Sequence, residues 1–178
     1  MIRQATALDL PFLEEMLYEA FFWSGGVERP ALVEMRARPE FHSLFAGWGR
    51  TGDVAFSAHA SGAAAGAAWF RLWTPAAHSY GFVDHETPEL GLAVVPRFRR
   101  QGIGRQLLRS LMEYAGQQAY PSLSLSVAPG NPARALYESE GFRKVGEVGT
   151  SWTMLRELSK SRAQKSLLSG SQGRDEPR

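Results

Sequence analysis

The stretch RRQGIGRQLLRS, residues 99–110, places four arginines around two glycines, where a strand-like segment gives way to a helical one. Gly102 and Gly104 allow a positive φ and let another molecule approach the backbone closely. The first turn of a helix leaves N–H groups without partners, and the helix dipole adds about half a positive charge. The stretch therefore predicts a phosphate-binding turn, with a pyrophosphate favoured. The arginines that would add positive charge are Arg99, Arg100 and Arg105.

Two other phosphate-binding loops do not fit this turn, and one purely structural alternative does. A nucleotide-triphosphate loop requires G-x-x-x-x-G-K-[ST], which the sequence lacks. A dinucleotide-binding fold requires G-x-G-x-x-G and an acidic residue about twenty positions later, and this pattern is also missing. A solvated basic turn in front of a helix would contain the same residues, so the turn alone leaves both interpretations open.

The composition fits one domain that can bury a core, with 178 residues and a hydrophobic content of 44%. We predict a folded domain over residues 1–158 and a disordered basic tail over 159–178. The sequence has no cysteine and its four histidines lack metal-ligand spacing, so we predict neither disulfides nor a metal site. The start lacks a signal-peptide pattern, and no apolar run approaches the roughly 18 residues of a membrane helix. We therefore expect a cytoplasmic protein without membrane contact.

The positive charge of the sequence is local and does not cover a whole face. The formal net charge is +2 and the pI is about 9.1, values that could suggest a nucleic-acid partner. Residues 159–178 contain five basic and two acidic residues, so they carry +3 and leave −1 for the rest of the chain. A nearly neutral folded body offers no broad basic surface to a polynucleotide, so we predict no nucleic-acid binding. A nucleic-acid module that depends on the basic tail is the alternative, which deletion of 159–178 would test.

Hydrophobic spacing predicts a mixed α/β fold with a single sheet. The chain is expected to run as a strand, helices, three strands, a helix, a strand, a helix and two strands. The segment 89–127 is predicted as strand, helix and strand, and it should contain a parallel crossover. The predicted strands are 2–5, 53–60, 69–73, 89–95, 122–127, 142–148 and 151–158, and the predicted helices are 10–20, one or two within 28–48, 103–115 and 132–140.

The segment AAAGAAWFRLW, residues 63–73, gives conflicting signals. Alanine favours a helix by its intrinsic propensity. Ser61 and Gly62, in contrast, form a two-residue turn signal that is typical of a β-hairpin. We therefore predict a strand for the 69–73 end of this segment.

A second motif, NPARALYESEGF at residues 131–142, follows about thirty residues after the glycine turn. Asn131 can cap the helix that this motif begins. Together with ELGLAVVPRFRRQGIGRQLL, residues 89–108, the motif resembles the GNAT superfamily of acyl-CoA-dependent N-acetyltransferases, and a weaker similarity at the start extends the resemblance to residues 2–158. The matching residues are Arg99, Gly102 and Gly104 in an R-x-x-G-x-G loop, and Asn131, Tyr137, Gly141 and Phe142 in the second motif.

The resemblance implies the arrangement of the sheet and the site of the cosubstrate. In this family a mixed, mostly antiparallel sheet is flanked by helices, and its central parallel strand pair splays apart to hold acetyl-CoA. Those strands would be 89–95 and 123–127. Backbone groups near Val94 and Val95 would bind the pantetheine arm and polarise the acetyl carbonyl, and the amides of residues 100–105 would hold the pyrophosphate. The implied acetyl-CoA-binding residues are Val94, Val95, Arg99, Arg100, Gln101, Gly102, Ile103, Gly104, Arg105, Asn131, Arg134 and Tyr137.

The implied activity is the transfer of an acetyl group from acetyl-CoA to a primary amine by direct attack in a ternary complex. An alkyl amine has a pKa near 10.4, so its neutral form at pH 7 costs about 4.6 kcal/mol, and a nearby base lowers that cost. Glu89, at the start of a central strand, is the first candidate for this base, and solvation of the strand end is its alternative role. His85 and Glu86 on the adjacent loop are the other candidate bases.

Tyr137 is the candidate donor to the departing thiolate. A tyrosine titrates near pH 10 and a thiol near 8.5, so full proton transfer to sulfur is uphill by roughly 2 kcal/mol. A hydrogen bond to the developing anion still helps. Packing of the helix against the sheet is the alternative role for this ring.

The acceptor is not specified by the resemblance and can be the amine of a small molecule or of a protein. A group of mostly aromatic residues in the first helices and the 74–88 loop could line an amine pocket or serve only in packing. A non-catalytic acyl-CoA-binding regulatory domain is the alternative function, and the resemblance leaves a homodimer open. The group comprises Phe21, Phe22, Trp23, Trp73, His78, Tyr80, Phe82 and Asp84.

Overall fold

The computed structural model describes residues 1–25 and 28–158, and within them seven strands form one sheet flanked by five α-helices. The strands are β1 (Ile2–Gln4), β2 (Val54–Ala60), β3 (Ala63–Arg71), β4 (Glu89–Val94), β5 (Ser122–Val127), β6 (Arg143–Val148) and β7 (Ser151–Glu157). The helices are α1 (Leu10–Phe21), α2 (Leu32–Arg36), α3 (Pro39–Phe45), α4 (Ile103–Gln117) and α5 (Ala133–Ser139). The predicted tail over 159–178 lies outside the described residues. Among the helices of the described ranges, none has both the length and the apolar character needed to cross a membrane.

The sheet has the order β1-β2-β3-β4-β5-β7-β6, and its neighbouring strands are antiparallel except for β4 and β5. This order confirms the predicted mixed α/β fold, with the parallel crossover through α4. The ladder between β4 and β5 is confined, in the described chain, to one register pair formed by Glu89 and Ser124. Beside that pair the Ser124 amide donates to the Pro88 carbonyl at 3.0 Å. Beyond it the two strands diverge.

Two apolar cores lie on opposite faces of the sheet, because successive residues of a strand point to opposite sides. Phe70 of β3 belongs to the core under α4, and its neighbour Trp69 belongs to the core under α1, α2 and α3. The predicted apolar faces of the helices at 10–20 and 103–115 are therefore core faces. The first core includes Leu107, Leu108, Leu111, Leu123 and Leu125, and the second includes Leu13, Met16, Leu17, Phe41 and Phe45.

The alanine-rich segment is a strand along most of its length, which corrects the predicted 69–73 strand at both ends. β3 begins directly after the turn and ends before Trp73. Ser61 and Gly62 both have positive φ, 51° and 74°, as a tight two-residue hairpin turn requires. Ala65 and Ala67 are fully buried. Cross-strand pairing and burial between helices on both faces therefore outweigh the helix propensity of alanine.

A buried ion pair fixes the end of β3. The Arg71 guanidinium is 2% exposed and donates to Asp53 from Nε at 2.8 Å and from Nη2 at 2.7 Å. Its Nη1 donates to the carbonyl oxygens of Leu44 and Ala46 at 3.1 and 3.0 Å. The Trp73 ring centroid lies 5.4 Å from the guanidinium carbon. These contacts tie the loop after α3 to the sheet, and the Asp53 carboxylate compensates the buried charge.

Gly91 on β4 is a position where an added methyl group would collide with a buried ring. A Cβ there would lie 2.5 Å from Cε2 and Cζ2 of Trp69. We expect Gly91→Ala to lower the free energy of unfolding by about 1–3 kcal/mol, the usual cost of overpacking a core, as measured by urea denaturation. Gly116→Ala is the matched control on α4, where a Cβ would meet no described atom within 4 Å outside its own helix turns. It should raise the free energy of unfolding by up to about 1 kcal/mol, and equal effects of the two substitutions would contradict the packing at Gly91.

Candidate active site

The divergence of β4 and β5 leaves backbone groups of β4 without a strand partner. The Val95 amide donates to the Ala65 carbonyl at 2.9 Å, just after β4. Because bonding alternates along an antiparallel ladder, residues 91, 93 and 95 direct their backbone groups to β3. The N–H and C=O groups of Leu92 and Val94 therefore point towards β5. Since β5 has moved away at this point, these groups border an open gap.

Two cavities meet at this gap. One has a volume of about 540 Å³ and extends from β4 to the turn before α4, and we call it the glycine-loop cavity. The other has a volume of about 310 Å³ and lies beside Glu89, and we call it the carboxylate cavity. The cavities share the lining residues Trp23, Gly91, Ser126 and Asn131, so they join between the strands. Of the predicted binding residues, the glycine-loop cavity is lined by Val94, Arg99, Arg100, Gly102, Gly104, Arg105, Asn131 and Tyr137.

The turn before α4 presents backbone amides that the helix itself does not use. Arg100 and Gly102 both have positive φ, 65° and 79°, and Gly102 is the N-cap of α4. The Gln106 amide donates to the Gly102 carbonyl at 3.1 Å as the helix begins. The amides of residues 103–105 precede this bond and so lack acceptors within the helix. Together with the helix dipole, they form a site suited to an anion.

Gly104 lets α4 approach its neighbours closely. A Cβ at this position would lie 3.5 Å from the Leu136 side chain and 3.6 Å from those of Leu92 and Val94. These are ordinary contact distances, so a methyl group would fit at this position. The first turn of α4 is therefore held directly against β4 and α5, at the wall of the glycine-loop cavity.

The two arginines that precede the glycines have different environments. Arg99 donates from Nε to the Val94 carbonyl at 2.9 Å and from Nη2 to Glu19 at 3.1 Å. Its charge is therefore shared with α1. Arg100 forms no ion pair with any residue of the described chain, and it lines the glycine-loop cavity. Its charge stays available to an anion in that cavity.

Arg105 and Arg109, one turn apart on α4, both bind the Glu140 carboxylate at the end of α5. Arg105 donates from Nη1 at 2.5 Å, and Nη2 of Arg109 lies 3.0 Å from the same oxygen. The Arg109 guanidinium, followed by that of Arg105, holds the pKa of Glu140 below its ordinary value against the opposing effect of burial. Arg105 was predicted as a phosphate ligand; it borders the cavity, but its guanidinium also fastens α4 to α5.

Four of the predicted binding residues do not line the glycine-loop cavity. They are Val95, Gln101, Ile103 and Arg134. The Val95 amide is used by Ala65 in the ladder with β3, so it is not available to a ligand. The Arg134 guanidinium pairs with Glu138 at 3.5 Å and lies 4.9 Å from the centroid of the Trp152 ring. The Val95 amide and the Arg134 side chain therefore both form contacts within the protein.

Asn131 and Tyr137 are positioned by α5 and its entry. The Asn131 Oδ1 accepts the Ala133 amide at 2.9 Å, which is the capping contact that the sequence predicts. Tyr137 is 6% exposed and packs edge-on against Phe142, with ring centroids 5.9 Å apart. Burial raises the pKa of Tyr137, so its hydroxyl stays protonated. The ring therefore packs the helix, while the residue also lines the glycine-loop cavity.

Glu89 has an incompletely bonded carboxylate in the carboxylate cavity. Its Oε1 accepts the Gly81 amide at 2.8 Å, whereas its buried Oε2 has no hydrogen-bond partner in the described ranges. Burial raises the pKa of Glu89 to about 7, and the Gly81 amide, the Ser79 hydroxyl and the charge of His78 partly oppose this effect. A buried carboxylate with a pKa near 7 can accept a proton under physiological conditions.

The structure places some of the remaining candidate residues at the two cavities and others away from them. His85 and Glu86 are exposed on the loop before β4 and line neither cavity. Several members of the predicted aromatic group do reach the carboxylate cavity, on the face of the sheet that carries Glu89. Those that line it are Phe21, Trp23, Trp73 and Tyr80, and those that do not are Phe22, His78, Phe82 and Asp84.

Three residues that border the gap were not predicted from the sequence. They are Leu92, Ser126 and Gly81. Leu92 could have been inferred, because the period-two alternation of a strand gives it the same direction as Val94. Gly81 carries no local signal, yet a Cβ there would lie 2.6 Å from the Leu125 carbonyl carbon and 2.7 Å from the Ser126 amide nitrogen. The 74–88 loop therefore lies directly on β5 and closes this side of the gap.

The chain belongs to the GNAT acetyltransferase family, because the sequence model of that family matches residues 11–142. Over 73 residues the chain is 37% identical to N-acetyltransferase family 8 member 3 from Mus musculus, a match that covers 40% of this chain and 31% of that protein. The chain thus spans about a third of the length of the curated relatives it matches.

Solved structures share the same fold. The ribosomal-protein-alanine N-acetyltransferase from Brucella melitensis superimposes with a TM-score of 0.65 at 26% identity, covering 89% of this chain and 99% of that one. The PaiA N-acetyltransferase from Thermoplasma acidophilum, solved in complex with coenzyme A, gives a TM-score of 0.66 at 18% identity, covering 88% and 98%. These matches confirm the predicted fold class, a mixed sheet with a central parallel pair.

Glu89→Gln should change how stability depends on pH. The Glu89 carboxyl has an ordinary pKa of 4.5, which applies to the unfolded chain, and a pKa of about 7 in the folded protein. Between these values the folded state binds more protons, so the free energy of unfolding falls as the pH rises, by about 3 kcal/mol in total. The free energy of unfolding of Glu89→Gln does not fall in this way, because glutamine binds no proton. In urea denaturation the variant should therefore gain stability relative to the parent protein as the pH rises from 4.5 to 7.

The matched control for this experiment is Glu86→Gln, on the exposed part of the neighbouring loop. This variant should keep the pH profile of the parent protein, because its side chain lies in water. A stability difference between the parent and Glu89→Gln that stays constant from pH 4 to pH 8 would show that the carboxyl is not desolvated.

Proposed function

We propose that this chain transfers an acetyl group from acetyl-CoA to a primary amine by direct attack in a ternary complex, with residues 1–158 as the catalytic domain. The observation that carries the proposal is the junction of the two cavities between β4 and β5. The buried Glu89 carboxylate lies in one cavity, and Tyr137 lines the other. A thioester and an amine that enter from opposite cavities would meet at the junction.

The glycine-loop cavity has the chemical groups that coenzyme A requires. The unpaired amides of residues 103–105 and the Arg100 guanidinium suit a diphosphate. The N–H and C=O groups of Leu92 and the N–H of Val94 suit the amides of the pantetheine arm, which can pair with β4 as an added strand does. The Val94 carbonyl already accepts Nε of Arg99. Acetyl-CoA acts as a cosubstrate and supplies an activated acetyl thioester. The coenzyme A complex of the PaiA enzyme, which has the same fold, supports this choice.

Glu89 is proposed as the group that accepts the proton of the acceptor amine. An ammonium ion must lose a proton before its nitrogen can attack, and at pH 7 this costs about 4.6 kcal/mol for an alkyl amine. The raised pKa of Glu89, about 7, brings its carboxylate close to the ideal basicity for neutral pH. Glu89 lines the carboxylate cavity, where the amine would bind, and its Oε2 is buried without a hydrogen-bond partner in the described chain.

Tyr137 is proposed as the hydrogen-bond donor to the departing sulfur. Burial raises the pKa of Tyr137, so transfer of its proton to a thiolate is more uphill than for a tyrosine in water. The hydroxyl therefore stabilises the developing negative charge by donating a hydrogen bond, and it keeps its proton. An N–H of Leu92 or Val94 can polarise the acetyl carbonyl in the same way.

The proposal is tested by measuring release of free thiol from acetyl-CoA across a panel of primary amines, beside calorimetric titration of acetyl-CoA. We expect both binding and amine-dependent turnover. Binding without turnover of any amine would favour a regulatory acyl-CoA-binding domain and would overturn the enzymatic assignment.

Tyr137→Phe, in the same assay, should lower kcat about a hundredfold, the usual effect of losing one donor to a transition-state anion. The dissociation constant for acetyl-CoA should change little, because the ring remains. Tyr114→Phe on α4 is the matched control, since Tyr114 packs against Phe56 and lines neither cavity. An unchanged kcat in Tyr137→Phe, under conditions where chemistry limits the rate, would remove this role.

Gly102→Val should weaken acetyl-CoA binding by about tenfold or more, equivalent to the loss of one charge-assisted hydrogen bond. The φ of Gly102 is +79°, so a branched side chain forces the turn to rearrange and misplaces the amides that follow. Gly149→Val is the matched control, because Gly149 also has a positive φ, +60°, but lies in the turn between β6 and β7. Equal acetyl-CoA affinities of the two variants in calorimetry would contradict the phosphate-binding role of the turn.

A further inference from the structure

The walls of the carboxylate cavity carry several aromatic rings. Five aromatic residues from α1, the segment after it, β3, the segment after β3 and the 74–88 loop line a space of about 310 Å³. Aromatic faces bind apolar groups and also attract an ammonium ion. The five residues are Phe21, Trp23, Trp69, Trp73 and Tyr80.

The charged groups of this cavity are one free carboxylate and one compensated guanidinium. Glu89 keeps Oε2 without a partner in the described chain. Arg71 also lines the cavity, but Asp53 binds it through two hydrogen bonds, and the carbonyls of Leu44 and Ala46 accept two more. Among the charged side chains of the described lining, Glu89 can therefore pair with one ammonium group, and no cation is left uncompensated for a carboxylate. The uncharged polar residues of the lining include Ser79, Ser126, Asn131 and Ser151.

The space for the acceptor is limited in length. Gly81 donates to Glu89 and lies so close to β5 that an added Cβ would be 2.7 Å from the Ser126 amide nitrogen. The 74–88 loop thus forms a floor beneath the carboxylate. Trp23 approaches the loop before α5, 3.8 Å from a Cβ built on Gly130, and so lies across the junction of the cavities.

We infer that the acceptor is a compact primary amine with a single positive charge and an aromatic or branched apolar body, of the arylalkylamine class. This inference rests on the proposed function. The ammonium group would lie between the Glu89 carboxylate and the aromatic faces, and the body of the molecule would fill the space between the rings. A second ammonium group or a carboxylate on the acceptor would lose water without gaining an oppositely charged partner in the described lining, which is costly.

The test compares acetyl transfer to amines that differ in one feature, using thiol release at saturating acetyl-CoA. 2-Phenylethylamine has the inferred body and charge, phenylalanine adds a carboxylate to it, and spermidine carries several charges. A short peptide with an N-terminal alanine represents a protein acceptor. We expect kcat/KM for 2-phenylethylamine to exceed each of the other values by about tenfold or more.

The outcomes separate this inference from the proposed function. A preference for spermidine, phenylalanine or the peptide would overturn the inferred acceptor class and leave the acetyltransferase assignment in place. Binding of acetyl-CoA without turnover of any of these amines would overturn both.

A variant of the aromatic wall provides a second measurement. Tyr80 is 48% exposed on its loop, so Tyr80→Leu should not disturb folding. It should raise the KM for 2-phenylethylamine about three- to tenfold, the usual value of an aromatic contact, and leave the acetyl-CoA dissociation constant unchanged. Phe82→Leu is the matched control, because Phe82 stacks on His78 outside the cavity. Equal KM values for the two variants would overturn the role of the aromatic wall.

Discussion

The register pair between Glu89 and Ser124 is the contact on which the arrangement of the site depends. On one side of it β1 to β4 form a continuous antiparallel ladder, and on the other side β5, β7 and β6 form a second one. A longer parallel ladder would use the N–H and C=O groups of Leu92 and Val94, which in this protein border an open gap. The sheet therefore gives up backbone hydrogen bonds between its two halves, and Arg99 replaces one of them by donating to the Val94 carbonyl.

Ion pairs connect the helices that lie around this gap. Arg105 and Arg109 bind Glu140 and so connect α4 to the end of α5. Arg99 is shared with α1. The positive charge that the sequence concentrates around this turn thus has two roles. Arg99, Arg105 and Arg109 form ion pairs that connect the helices. Arg100 lines the glycine-loop cavity and forms no ion pair in the described chain.

Local patterns in the sequence were sufficient for the parts of the site that depend on local backbone geometry. The left-handed Gly102 and the Asn131 cap follow from the residues beside them. The order of the elements along the chain and the parallel crossover follow from hydrophobic periodicity and the crossover rule, whereas the arrangement of the sheet was implied by the family resemblance. The burial of Glu89 could not be read from its neighbours, because it arises from Gly81 and from strands distant in sequence. The Arg71 contact with Asp53 and the strand conformation of the alanines also depend on packing between separate elements, which propensity does not record.

The hydrogen bond from Gly81 to Glu89 couples two properties of the molecule. The loop that carries Gly81 also carries Tyr80, which lines the carboxylate cavity, so a shift of this loop changes the shape of that cavity. The same shift would lengthen the Gly81 contact, which stabilises the ionised carboxylate, but it would also admit water, and burial is the larger influence on this group. The pKa of Glu89 would therefore fall towards its ordinary value. Cavity shape and proton affinity are thus two readouts of one loop position, and the carboxylate is most basic when the loop lies flat on β5.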